Sequence, residues 1–109
     1  METSGGIRAS LAGRYASALF GLARDERQIE AVGTSLDKLS QALVDSREFS
    51  ELVSSPLIDR DQAGKAFAAV GDQIGIDRVT RNFLGVLARN GRKNQLQPVI
   101  SRVPAIPMI

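Results

Sequence analysis

The sequence predicts an all-α fold, a bundle of about six helices in one domain. Apolar residues recur at spacings of three and four along most of the chain, and no segment shows the strict alternation that is typical of strands. The length of 109 residues fits a single domain with one modest core. The composition, 43% hydrophobic and 24% charged, is ordinary for a globular protein.

Three helices are predicted in the first half of the chain. The first contains "GRYASALFGLARD", residues 13–25, with Ile7 and Leu11 just before it. The second is "QIEAVGTSLDKLSQALV", whose apolar stripe consists of Ile29, Val32, Leu36, Leu39 and Leu43. The short third helix, "REFSELV", ends before Pro56, because the residue that precedes a proline is pushed out of the α region.

The predicted fourth helix begins after a carboxylate and ends at a glycine. Either Asp59 or Asp61 is suited to cap its first turn, and Gly75 is suited to end it. Its inward positions are Ala63, Phe67, Val70 and Ile74.

The fifth and sixth helices are predicted from similar signals. Asp77 is suited to cap "RVTRNFLGVLARN", and both Asn90 and Gly91 tolerate the left-handed conformation that closes helices. The sixth helix begins near Asn94, and Pro98 fits there only if it falls in the first turn. The inward positions of the sixth helix are Leu96, Val99, Ile100 and Val103.

The residue types offer little for catalysis or metal binding. The chain has no cysteine and no histidine, so thiolate metal sites, the commonest general base and a strong nucleophile are all excluded. Gly64 and Lys65 do not form a phosphate-binding loop, because Ala66 stands where serine or threonine is needed. Asp59 and Asp61 are better explained as helix-starting carboxylates than as a metal pair. We therefore expect no enzyme, no metal and no cofactor.

The charge is unevenly distributed along the chain. The segment from Asp77 onward carries six cations and one acid, whereas the overall net charge is +2. This asymmetry is compatible with a small helical RNA-binding or adaptor domain that uses its basic C-terminal third. With one Tyr, four Phe and no Trp, however, stacking platforms for bases are not evident, and a solvated helix face is favoured.

The first and fifth helices carry more apolar surface than one core needs. At about 100° per residue, their apolar side chains cover well over half of each circumference. Two interpretations remain open: both helices are central and bury two sides, or they lie side by side and leave an exposed groove for an amphipathic helix. The projection places Ala18, Leu22 and Val86 at the edge of such a groove, whereas Leu19 and Phe83 suit the core equally well.

Three stretches carry a family resemblance. "GRYASALFGLA", "SSPLI" and above all "NFLGVLARNGRKNQLQPVI" resemble the delta subunit of bacterial F-type ATP synthase, which is similar to the mitochondrial oligomycin-sensitivity-conferring protein. The resemblance spans residues 8–102 in order. It implies a six-helix bundle like the N-terminal domain of that subunit, followed in the family by a C-terminal domain.

The resemblance also implies a function. The family contributes a non-catalytic peripheral-stalk subunit to the proton-translocating ATP synthase, at the cytoplasmic face of the bacterial inner membrane. Its N-terminal domain holds the N-terminal helix of an alpha subunit between the first and fifth helices, and its C-terminal domain grips the b subunits. The catalytic head is thereby linked to the stator.

Carried over residue by residue, the family's binding site falls on eight positions of this chain. The implied alpha-binding residues are Tyr15, Ala18, Leu19, Leu22, Asn82, Phe83, Val86 and Asn90. Arg14, Arg78 and Arg89 are candidates for the rim, where they would steer an acidic stretch of the partner.

The end of the chain departs from the family pattern. Residues 104–109, "PAIPMI", contain Pro104 and Pro107, which forbid a continued helix. We expect a helical N-terminal domain over residues 1–103 and an atypical tail over 104–109, with the family's C-terminal domain absent. On this interpretation b subunits bind only through the missing domain, and nucleic acid is not an expected partner. Direct membrane insertion is not expected either, because no segment is apolar and long enough to span a bilayer.

Overall fold

A computed structural model describes residues 10–102, and within this range the chain is entirely helical. The elements are α1 (Leu11–Asp25), α2 (Ile29–Asp45), α3 (Arg47–Ser54), α4 (Arg60–Ile74), α5 (Arg78–Arg89), a 3-10 turn (Lys93–Gln95) and α6 (Leu96–Arg102). The predicted all-α fold with six helices is therefore confirmed. The predictions for Ile7, Val103 and the tail 104–109 lie outside the described residues.

Carboxylate or hydroxyl caps start α1, α3, α4 and α5, whereas α2 begins after Gln28 without a side-chain cap. Asp59, not Asp61, caps α4, in a reciprocal capping box with Gln62. Asp61 instead forms an exposed ion pair with Lys65 at 3.3 Å. Ser10 caps α1 by accepting a hydrogen bond from the backbone N–H of Gly13 at 3.0 Å.

Left-handed residues end three of the helices. Gly75 (φ 71°) follows α4 and Gly91 (φ 68°) follows α5, whereas Asn90 stays right-handed at φ −84°. The turn after α1 uses Arg27 at φ 58°, although a non-glycine residue is uncommon there. No composition signal predicts that turn.

All six helices contribute side chains to the core. Pro98 is the third residue of α6 and so falls in the first turn, as its missing N–H requires. Most of the predicted inward positions are buried, namely Val32, Leu36, Leu39, Ala63, Phe67, Leu96, Val99 and Ile100. Four others lie half-buried at the margin, namely Ile29, Leu43, Val70 and Ile74. Helix α1 packs on α6 and α5, and α5 packs extensively on α4, so α1 and α5 are neighbours.

Two buried polar groups join distant parts of the chain. Lys93 is 9% exposed, and its ammonium group donates to the carbonyl oxygens of Val53, at 3.1 Å, and Ser55, at the end of α3. Cations are favoured at a helix C-terminus, where carbonyls lack partners. Asp77 both caps α5 and accepts a hydrogen bond from the Ser35 hydroxyl of α2 at 2.5 Å. These contacts fix both ends of α5 to the remainder of the bundle.

Candidate partner-binding groove

Helices α1 and α5 lie side by side and run antiparallel. Near one end, Asn90 Nδ2 donates to the Tyr15 hydroxyl at 3.0 Å. Near the other, Arg78 Nη2 lies 3.3 Å from Glu26 Oε1, just beyond the end of α1. Because the residue numbers rise along α1 as they fall along α5, the two helix axes point in opposite directions. About eleven residue steps separate the two contacts along α1, which corresponds to about 16 Å.

The floor between these helices is closed. Leu19 is 1% exposed and Phe83 is 6% exposed, so both side chains belong to the core. The Tyr15 ring packs edge-to-face on Phe83, with ring centroids 6.1 Å apart. The sequence suited Leu19 and Phe83 equally to the core and to the groove. The structure buries both, so neither offers appreciable surface to a partner. Leu19 and Phe83 support the groove from below.

The outer edge is apolar and open. Ala18 is exposed, Leu22 is 45% exposed, and Val86 of α5 is half-buried. Helix α5 packs on both α4 and α1, as the first interpretation expects, whereas Ala18 and Leu22 of α1 are exposed among residues 10–102. Ala18, Leu22 and Val86, together with the rings beneath them, define what we call the α1/α5 groove.

Polar groups stand along the groove. Asn82 and Asn90 of α5 are exposed, and Tyr15 of α1 is half-buried with its hydroxyl bonded to Asn90. Six of the eight sequence-predicted residues are exposed or half-buried, whereas Leu19 and Phe83 are buried.

The three candidate rim arginines differ in their partners. Arg78 forms an ion pair with Glu26, a contact 52 residues apart in sequence that no local pattern indicates. Arg14 and Arg89 are exposed, and no acidic side chain among residues 10–102 pairs with either. Arg89 lines a depression between α4 and α5 together with Asp61 and Lys65, and the charge of Arg78 is compensated by Glu26.

The described residues form no cluster that could hold a metal ion. No group of three or more acidic side chains comes together between residues 10 and 102, and the chain has no histidine or cysteine. None of the helices in that range combines the length and hydropathy needed to cross a bilayer. What the groove does offer is apolar area, amides, a phenol and guanidinium groups, which suit the recognition of a protein segment.

Fold and groove together define a small all-helical domain with an open apolar edge. The sequence model of the family described as ATP synthase delta (OSCP) subunit matches residues 11–106. The chain belongs to this family, whose subunit is structural and non-catalytic.

Individual relatives agree with this assignment. The chain is 59% identical over 100 residues to the ATP synthase subunit delta of Rhizorhabdus wittichii, covering 92% of this chain and 54% of the relative. It is 44% identical to that of Erythrobacter litoralis, again covering 92% and 54%. It is 41% identical to that of Zymomonas mobilis, covering 93% and 55%. The chain thus spans about half the length of the curated relatives it matches.

A solved structure shares the fold. A chain in the cryo-EM structure of the Toxoplasma gondii mitochondrial ATP synthase hexamer superposes with a TM-score of 0.76 at 36% sequence identity. The match covers 84% of this chain and 51% of that one. The helical arrangement and the family therefore agree.

Proposed function

We propose that this chain acts in the peripheral stalk of a proton-translocating F-type ATP synthase, where it holds the N-terminal helix of an alpha subunit in the α1/α5 groove. The observation that carries the proposal is the open apolar edge formed by Ala18, Leu22 and Val86. By binding there, the chain links the catalytic head to the stator and helps it to resist the torque of the rotor.

The dimensions of the groove suit a helix. A helix with its side chains is about 10 Å wide, and a small residue at the contact lets two helix backbones approach closely. Ala18 provides such a position on α1, and Leu22 and Val86 flank it with branched aliphatic surface. Burying a leucine that is 45% exposed contributes roughly 1 kcal/mol. An apolar helix face is therefore the complementary partner.

Other parts of the proposed role rest on family membership alone. The matched relatives are named as ATP synthase delta subunits, and the matched structure is a mitochondrial ATP synthase. We place the chain at the cytoplasmic face of the bacterial inner membrane, as a peripheral component of the complex. We assign binding of b subunits to the part of the family's length beyond the residues matched here.

A titration tests the central claim. The ¹⁵N-labelled chain is titrated with a synthetic peptide from the N-terminus of the alpha subunit, and backbone amide shifts are followed by NMR. We expect saturable shifts concentrated in α1 and α5. Absence of saturable binding at several hundred micromolar peptide would refute the proposal, as would shifts confined to α2 and α3.

The RNA-binding or adaptor alternative has less support. Of the six cations after Asp77, Arg81 pairs with Asp72, Arg78 pairs with Glu26, and Lys93 is buried. The remaining basic groups do not form a continuous exposed run. Phosphate contacts weaken steeply as salt rises, whereas an apolar groove does not, so the salt dependence of any observed complex distinguishes the two.

A further inference from the structure

We infer that a cavity at the junction of α3, α4 and the turn after α5 binds a small oxyanion of the size of inorganic phosphate. Residues 54–56 and 58–60 line one side, and Gly91, Lys93 and Asn94 line the other. Two of the stretches that carry the family resemblance, "SSPLI" and the segment after Asn90, therefore meet there. The volume of about 210 Å³ is ample for a tetrahedral oxyanion with accompanying waters. This site is separate from the α1/α5 groove and does not depend on the partner proposed for it.

Lys93 brings a buried positive charge to the wall of this cavity. The side chain is 9% exposed, and its ammonium group donates to the carbonyl oxygens of Val53 and Ser55. An ammonium group has three hydrogens to donate, so one has no protein partner among residues 10–102. Burial also lowers the pKa of Lys93, because it disfavours the charged form. An anion in the cavity would supply both an acceptor and a countercharge.

Arg60 adds a guanidinium group that forms no ion pair within residues 10–102. The adjacent acid, Asp61, pairs instead with Lys65 at 3.3 Å. The Arg60 side chain lies against Gly91, where an added Cβ atom would stand 3.0 Å from Arg60 Nε. A side chain at position 91 would also be strained, because φ there is 68°. Glycine therefore leaves the room that the guanidinium occupies in the cavity wall.

The other polar groups of the wall determine the kind of anion. Asp59 also lines the cavity, and its Oδ1 accepts from the backbone N–H of Gln62 at 2.8 Å. Two cations and one acid leave a net positive charge in the wall, and the Asn94 amide is a further donor. Phosphate accepts hydrogen bonds on several oxygens that point in different directions, so it suits donors on three separate side chains. Asp59 opposes it, so binding should be weak, in the millimolar range.

A titration with inorganic phosphate tests the site. Sodium phosphate is added to the ¹⁵N-labelled chain at neutral pH, sodium chloride keeps the ionic strength constant, and backbone amide shifts are followed by NMR. We expect saturable shifts concentrated at residues 54–60 and 91–94. Shifts that do not saturate, or that are equally large around the exposed arginines elsewhere on the surface, would overturn the inference. Either result would leave the proposed function of the α1/α5 groove untouched.

Single charge changes test the sign of the effect. Arg60→Gln should weaken phosphate binding by about fivefold or more, because it removes one of two cations from the wall. Its matched control, Arg92→Gln, removes an exposed cation that does not line the cavity and should change the dissociation constant by less than about twofold. Asp59→Asn should strengthen binding about threefold, because it removes the acid while asparagine still caps α4.

The three variants should remain folded, because all three side chains are exposed, and thermal melting verifies this. Equal losses in Arg60→Gln and Arg92→Gln would contradict the site, and so would weaker phosphate binding by Asp59→Asn.

Discussion

Replacing Ala18 by aspartate separates binding from stability. Ala18 is exposed on α1, so in the free protein the new carboxylate stays in water. The cost there is mainly the lower helix propensity of Asp, about 0.7 kcal/mol. For a domain of this size that corresponds to a fall in Tm of about 3 to 5 °C. The Ala18→Asp protein should therefore be folded.

The same substitution should abolish binding of the alpha peptide. A guest helix in the α1/α5 groove would desolvate the carboxylate at position 18. Arg14, one turn earlier, is itself exposed and offsets little of this, so the cost remains about 3 kcal/mol or more. The dissociation constant should then rise by at least about a hundredfold. Isothermal titration calorimetry measures this change.

Ser17→Asp is the matched control. Ser17 is also exposed on α1, but it lies about 160° around the helix from Tyr15 and so points away from the groove. It should carry a similar stability cost and leave binding unchanged. Ala18→Asp binding within threefold of the parent would refute the reasoning about the groove. An unfolded Ala18→Asp protein would show instead that position 18 is part of the core.

Five further substitutions probe the groove and the long-range hydrogen bonds of Asp77 and Lys93. Val86→Asp should likewise abolish peptide binding by calorimetry while the circular dichroism spectrum stays helical; an unfolded protein would place Val86 in the core. Tyr15→Ala should cost about 2 kcal/mol of binding, whereas Tyr15→Phe keeps the contact with Phe83 and should lose less; equal losses would mean that the ring adds nothing. Asp77→Ala should lower the free energy of unfolding by about 2 kcal/mol at pH 7 in urea titrations. Burial raises the pKa of the Asp77 carboxyl, but hydrogen bonds from Ser35 and Thr80 outweigh it and hold that pKa below 3.8. The stabilisation is therefore present above pH 3.8 and is lost as the pH falls through the lower folded-state pKa. The difference in free energy of unfolding between the parent and Asp77→Ala should become smaller in acid, and a difference that does not change with pH would contradict this linkage. Lys93→Met should lower the free energy of unfolding by about 1 to 3 kcal/mol in calorimetry, because the carbonyl oxygens of Val53 and Ser55 lose their donor. An unchanged Tm would show that these hydrogen bonds do not stabilise the fold.

Local chemistry explains why the helices were predictable. The caps at Asp59 and Asp77 and the left-handed glycines at positions 75 and 91 act over three or four residues, so the sequence displays them directly. Arg27 in the left-handed region carries no such signal. The hydrogen bond from Lys93 to Val53 joins residues 40 apart in sequence, and the one between Ser35 and Asp77 joins residues 42 apart. Periodicity contains no information on contacts at that range.

The groove was predictable only in part, for a geometrical reason. Helical projection gives the angle of a side chain about its own axis but not the position of the neighbouring helix. Leu19 and Leu22 differ by about 60° in projection, yet one is 1% exposed and the other 45%. The family resemblance selected α1 and α5 as the pair. The pairing of Arg78 with Glu26 depends on tertiary packing and became visible only in the structure.

The anchoring of α5 at both ends has a consequence for the kinetics of assembly. Asp77 is tied to α2 before the helix begins, and Lys93 is tied to α3 after it ends, so this wall of the groove is held whether or not a guest is present. A preorganised receptor spends little conformational entropy on association, and the ordering cost falls on the incoming segment. Association should then be limited by how often the free segment is helical. Changes that raise its intrinsic helicity should tighten the complex without adding any contact.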